Sequence, residues 1–297
     1  MKLHADAWDI DARLVRQIVD DQFPHWQGLP LRAVDSSGTE NVLYRLGDEY
    51  VVRLPMRPSA VPQIAREATW LPVLAPQVPL PIPQPLGVGE AVADYPAPWA
   101  VYRWLPGETG LTADVPDQTI VARQLADFVR ALWQVPVPAD APVTTGPYAR
   151  GVPLANRRAI TAEALEAAQG LVDAVHLNEI WHRAVMAPTW AGAPVWVHGD
   201  IQPSNLLFQH RQISAVLDFG TLGVGDPAVD LLVAWNYLDA PARQVFRGAV
   251  AVDDATWCRG LGWALSVALL QLPYYLHTNP VMVASARRVI AAVSAEE

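Results

Sequence analysis

Trp196-Val-His-Gly-Asp-Ile-Gln-Pro-Ser-Asn-Leu-Leu-Phe208, followed shortly by Ala215-Val-Leu-Asp-Phe-Gly220, is the stretch that decides how this chain is read. An apolar strand presents His198 and Asp200 at its end. A short loop with Pro203 then sets Asn205 before the run 206–208, and a second apolar strand delivers Asp218. Mg²⁺ takes a few oxygen ligands and completes its shell with phosphate oxygens and water, so one carboxylate and one amide carbonyl suit it. An unligated second carboxylate can orient a hydroxyl and accept its proton. Phosphoryl transfer calls for such a set, because its loose transition state leaves the protein mainly to position groups and supply charge.

The sequence on either side has two characters. Before residue 103 it is β-rich. Ile10, Leu14, Val15, Ile18 and Val19 recur at helical spacing over 9–22, behind a cap at Asp9. Three short strands follow (31–34, 41–46 and 50–54), joined by the polar turn 35–39 and by Gly47-Asp48, which predicts an antiparallel meander. A helix over 64–74 contains Glu67. The proline-rich segment 79–85 is extended, since each ring fixes φ and removes an amide donor. Residues 99–104 form a strand that stops at Leu105-Pro106-Gly107, a turn and interlobe hinge. Beyond it the periodicity is helical over 117–133, 160–187, 227–239, 240–249, 254–276 and 280–295, broken by strands at 194–198 and 213–217. The expected organisation is α+β: a small β-rich lobe over 1–102, a hinge at 103–107, and a helical lobe over 108–297. The cleft between the lobes is the expected ligand site.

Composition narrows the function classes. Hydrophobic residues make up 52% and charged residues 17% of 297 positions, enough for a sizeable core. A formal charge of −9 argues against a nucleic-acid partner, which needs a basic stripe. Cys258 is the only cysteine, so no intrachain disulfide and no cysteine-based zinc site can form. The N-terminal residues lack an apolar signal core, and Pro273 and Pro280 interrupt the long uncharged stretch 260–286. These features predict a cytoplasmic protein with no membrane span.

The quoted residues match the protein-kinase patterns H-x-D-x-x-x-x-N and D-F-G. With His-Gly-Asp in place of His-Arg-Asp, and with Gly225-Asp-Pro-Ala-Val-Asp230 downstream, they more closely resemble the aminoglycoside phosphotransferase family. The resemblance implies a protein-kinase-like two-lobe fold and transfer of the γ-phosphoryl group of ATP or GTP to an alcohol. It makes Asp200 the catalytic base and Asn205 and Asp218 the Mg²⁺ ligands. It also implies that Ser37 and Gly38 lie over the phosphates, that Arg53 on the third strand is the phosphate-binding cation, and that Glu67 holds it. Arginine stands there for the customary lysine: Lys2 is the sole lysine, and a guanidinium keeps the charge with a longer, planar reach. The Arg103 carbonyl and the Leu105 amide become the base contacts, with Tyr102 as gatekeeper. His198 is read as a packing residue and Asp230 as a brace for the catalytic loop. Trp8, Trp26, Trp181, Trp190, Trp257 and Trp263 are read as core and lobe contacts.

By the same resemblance the acceptor is an aminoglycoside or another hydroxyl-bearing antibiotic, hence a small and cationic molecule. Kinases of macrolides, choline, homoserine and fructosamine carry related loops, so these acceptors stay open, as does a choice between monomer and homodimer. The acceptor pocket is expected near 155–190 and 254–277, where Glu163, Glu166, Asp173, Asp253 and Asp254 could meet a cation. Two readings from other classes stand beside this one. A nucleotide-binding pseudokinase is left open by Arg53, and a metal-dependent hydrolase would be built on His198 and Asp200.

Overall fold

Alternation along the strands gives the N-terminal sheet two buried faces. The computed structural model describes residues 7–34 and 40–296. The sheet comprises β1 (Leu31–Ala33), β2 (Asn41–Leu46), β3 (Tyr50–Pro55), β4 (Pro85–Gly89) and β5 (Trp99–Arg103). They pair antiparallel in the order β1-β2-β3-β5-β4. Val52, Leu54, Trp99 and Val101 pack outward with Val15, Ile18 and Val19 of α1 (Ala12–Gln22). The intervening side chains must face the other way. Ala100 and Tyr102 accordingly join Ile64 and Leu71 of α2 (Val61–Leu74) in the core that continues into the helical lobe. Arg53, opposite Ala100 in the β3–β5 register, shares that inner face.

Three local expectations shift. Helix α1 starts two residues late, because Asp11 rather than Asp9 caps it: its carboxylate accepts the Leu14 amide at 2.8 Å. The proline-rich segment runs on into β4, an edge strand that tolerates Pro85 because one side of an edge needs no donor. The turn 35–39 lies outside the described residues.

Beyond β5 the chain forms β6 (Glu108–Thr109), α3 (Thr119–Gln134), α4 (Arg158–Ala167), α5 (Ala174–Met186), β7 (Val195–Val197), β8 (Leu206–Gln209), β9 (Gln212–Val216) and β10 (Gly223–Gly225). Then come a 3₁₀ stretch Pro227–Leu232, α6 (Val233–Asn236), α7 (Ala240–Val250), α8 (Asp254–Tyr275) and α9 (Pro280–Ser294). The single helix expected over 160–187 is two, parted where Gly170 takes φ +80° and Asp173 begins α5 as its cap. The helix expected over 227–239 is mostly 3₁₀, wound tightly behind an Asp226 cap. Helix α8 is apolar nearly all round and buried for most of its length between α4, α5 and α9, which explains the long uncharged stretch. No helix among the described residues is long and apolar enough to cross a membrane.

Candidate active site

Two short antiparallel sheets present the stretch 196–220: β7 with β10, and β8 between β6 and β9. The turn after β7 needs Gly199, which sits at φ +80°. A Cβ there would lie 2.6 Å from Cβ of Arg150. Buried Asp230 ties the turn down. Its carboxylate accepts the Gly199 amide at 2.7 Å, the His198 amide at 3.3 Å and the Trp133 indole N–H at 3.0 Å. Burial raises the Asp230 carboxyl above the usual range, and these donors oppose the rise. His198 is wholly buried and uses both ring nitrogens. Nδ1 accepts the Asp200 amide at 3.1 Å, so Nε2 carries the proton given to the Leu217 carbonyl at 2.9 Å. With neither nitrogen free for a metal, the hydrolase reading loses its ligand.

Asp200, Asn205 and Asp218 meet at the mouth of this framework. The Asn205 amide nitrogen donates to the Asp200 carbonyl at 2.9 Å and to its Oδ2 at 3.2 Å, and Gln202 donates to the same Oδ2 at 3.0 Å. Among the described residues Asn205 Oδ1 is left with only the Ser204 hydroxyl, at 3.3 Å. Burial, with Asp218 adding to it, raises the Asp200 carboxyl; Arg150, His198 and Asn205 pull the other way. Asp218 holds φ +60°, a left-handed conformation uncommon outside glycine, and its side chain is 46% exposed. Asn205 Oδ1 and the Asp218 carboxylate are both hard oxygen donors, so the pair fits Mg²⁺.

Arg53 and Glu67 close the site from the small lobe. Glu67 falls in the buried stripe Ile64–Glu67–Leu71–Leu74 of α2, where a carboxylate requires a partner. Arg53 Nη1 donates to its Oε1 at 2.5 Å and the Tyr102 hydroxyl to its Oε2 at 2.6 Å. Arg53 Nη2 reaches Gln63 at 3.1 Å and Asp218 Oδ1 at 3.2 Å. Burial alone would lower the Arg53 guanidinium, but Glu67 and then Asp218 outweigh it and raise it. Burial, followed by Glu67, raises the Tyr102 phenol well above its usual value. Arg66 of the same helix donates to the Gly220 carbonyl at 2.9 Å, giving α2 a second hold on the Asp218 segment.

The other expected residues divide. Arg103 ends β5, exposed, 4.0 Å from Glu49. The Leu105 amide donates to no group among the described residues. Ser37 and Gly38 lie outside the described residues. The acidic residues considered for a cationic acceptor are engaged locally or exposed. Asp173 and Asp253 cap α5 and α8, Asp254 pairs with Arg247, and Glu163 and Glu166 stand exposed on α4. Sequence reading missed Arg150, whose Nη2 lies 3.5 Å from Asp200 Oδ1. It also missed the bidentate pair in which Arg259 holds the Asp226 cap at 2.7 and 3.1 Å. Neither arginine sits in a local pattern that could have marked it.

A five-stranded antiparallel sheet over a helical body, with the Asp200–Asn205–Asp218 set facing an Arg53–Glu67 pair, is the protein-kinase-like fold. The sequence model of the phosphotransferase enzyme family matches residues 32–263, and the chain belongs to that family. An aminoglycoside 3'-phosphotransferase from Escherichia coli is 28% identical over 153 residues, covering 48% of this chain and 53% of the relative. The chain thus spans about half the length of the curated relatives it matches. The GDP complex of wild-type aminoglycoside 2'-phosphotransferase-IIIa superposes with a TM-score of 0.75 at 21% identity, over 96% of this chain and 99% of that one. The apoenzyme of a macrolide 2'-phosphotransferase from Brachybacterium faecium gives 0.61 at 25% identity, over 95% and 99%.

Proposed function

We propose that this chain is a Mg²⁺-dependent kinase of a small hydroxyl-bearing molecule, working in the cytoplasm with ATP or GTP as phosphoryl donor. The observation that carries the reading is the meeting of Asp200, Asn205 and Asp218 opposite a buried Arg53–Glu67 pair. In this reading residues 1–102 bind the nucleotide and 103–107 are the hinge to the helical lobe 108–297. The Arg103 carbonyl and the Leu105 amide hold the base, Ser37 and Gly38 cover the phosphates, and Arg53 binds them. Asn205 and Asp218 hold the metal, which when bound offsets negative charge on the phosphate oxygens. Asp200 orients the acceptor hydroxyl. As the acceptor oxygen bonds to the γ-phosphorus and the bond to the bridging oxygen breaks, the hydroxyl proton passes to Asp200.

The names of the relatives make aminoglycosides and macrolides the first acceptors to try. The test is a nucleotide-consumption screen over these antibiotics, amino alcohols and sugars, run with ATP and with GTP. Consumption that needs both Mg²⁺ and one acceptor, with a phosphorylated product found by mass spectrometry, is the expected result. Mg²⁺–nucleotide binding without turnover of any acceptor would leave a pseudokinase.

A further inference from the structure

Residues 142–152, which lie between α3 and α4, bring Arg150 to Asp200. The segment runs against β10 and β7. Val143 bridges Val224, the Val224 amide donates to the Pro142 carbonyl at 3.3 Å, and the Asp226 amide donates to the Gly151 carbonyl at 2.8 Å. The Thr144 hydroxyl donates to the Arg150 carbonyl at 2.8 Å, closing the segment on itself. So held, Arg150 offers Asp200 one long contact from Nη2, while its Nε and Nη1 donate to nothing among the described residues.

A second guanidinium lies behind the first. Arg157 is 2% exposed and is held by Ser266 Oγ at 3.0 Å and the Pro147 carbonyl at 2.9 Å. Its Cζ stands 4.7 Å from the centroid of Trp263, and that of Arg150 stands 5.9 Å from the same ring. The buried Trp263 indole N–H has no acceptor among the described residues. Arg157 has no carboxylate partner there, and burial together with Arg150 pushes it down to about 9. Arg150 meets Asp200 at 3.5 Å, and Asp230 is turned to the Gly199 amide of the loop at 2.7 Å. A polyammonium acceptor would meet like charge here, whereas a free guanidinium edge matches a carboxylate or phosphate.

Resting on the phosphotransferase reading, we infer that Arg150, backed by Arg157 and Trp263, is an acceptor subsite that selects hydroxyl compounds bearing an oxyanion and disfavours polyammonium ones. The test measures Mg²⁺-dependent nucleotide consumption with gluconate, glucose 6-phosphate, glucose and kanamycin, for the wild type, Arg150→Gln and Arg150→Lys. The wild type is expected to prefer the two anions. Arg150→Gln should raise their KM about tenfold or more while the nucleotide KM stays within about twofold, and Arg150→Lys should recover part of the loss. Matching melting temperatures separate this effect from misfolding. Preference for kanamycin, silence with both anions, or a fall in kcat with acceptor KM unchanged would each overturn the inference. Turnover of other acceptors distinguishes the failures: Mg²⁺-dependent phosphorylation of kanamycin, glucose or another neutral or cationic compound of the screen above overturns the oxyanion subsite and leaves the phosphotransferase reading standing, whereas silence with every acceptor overturns both.

Discussion

Asp200 keeps its two oxygens in different company: Gln202 and Asn205 occupy Oδ2, and among the described residues Oδ1 meets only Arg150. In the proposed reaction Oδ1 is thus the atom that would take the incoming hydroxyl. Asp200→Asn should lower turnover by about 10²-fold or more with nucleotide affinity nearly unchanged, read by steady-state kinetics and calorimetry. Near-normal turnover would remove Asp200 from the mechanism. Arg53 divides its donors between Glu67 and the Asp218 side. Arg53→Ala should therefore raise the nucleotide KM and lower kcat together, and Arg53→Lys should fall between it and the parent. Glu67→Ala should show a milder defect of the same kind. Because the pair acts as a unit, the double variant should lose less than the product of the single losses. Multiplicative losses would show that the two do not cooperate.

At the level of elements, the turn after β7 stands on one carboxylate from the 3₁₀ stretch Pro227–Leu232. Asp230→Ala would leave the His198, Gly199 and Trp133 donors without their acceptor, at about 1–3 kcal/mol each where they stay dry. We expect denaturant unfolding to show a loss of about 3 kcal/mol or more together with lost turnover; a stable, active variant would refute the bracing role. The 142–152 segment has a similar point of dependence. A Cβ on Gly225 would stand 2.1 Å from the Gly151 carbonyl oxygen, a backbone atom that cannot swing aside. Gly225→Ala should push the segment off β10, costing about 1–3 kcal/mol of stability. It should raise acceptor KM more than nucleotide KM; equal effects on both would mean that the segment does not serve the acceptor alone.

Across the whole molecule, the small lobe touches the Asp218 segment through Arg53 of β3 and through Arg66 of α2. Mg²⁺–nucleotide held between the lobes should stabilise the fold by mass action, about 2.7 kcal/mol at a hundredfold excess over Kd. Differential scanning fluorimetry should show an upward Tm shift of several degrees that a chelator removes. Asp218→Ala should abolish the shift, having lost the anionic ligand, and Asn205→Ala should only reduce it, since water can replace a neutral amide. An undiminished shift in Asp218→Ala would put the metal elsewhere.

The Asp200–Asn205–Asp218 set was legible because its members are close in sequence and lie at the ends of short apolar strands whose alternation sets their direction. Arg53 and Glu67 were legible only through the family resemblance, which asks for a cation on the third strand and a glutamate on the next helix. The structure supplies the physical reason: strand period 2 turns Arg53 inward, and a carboxylate in the apolar stripe of a helix demands a cation. The break at Gly170, the edge strand β4 and the tight 3₁₀ winding after Asp226 were not, because pairing partners and close packing decide them over local propensity. Arg150 shows the limit most clearly. Nothing in its own neighbourhood distinguishes it from the chain's other arginines. It reaches Asp200, fifty residues away, only because β10 and β7 carry its segment and Gly199 and Gly225 leave room for it. Spacing along the chain thus determined the Asp200–Asn205–Asp218 set, while the charge beside Asp200 was set by which distant segments the fold brings together.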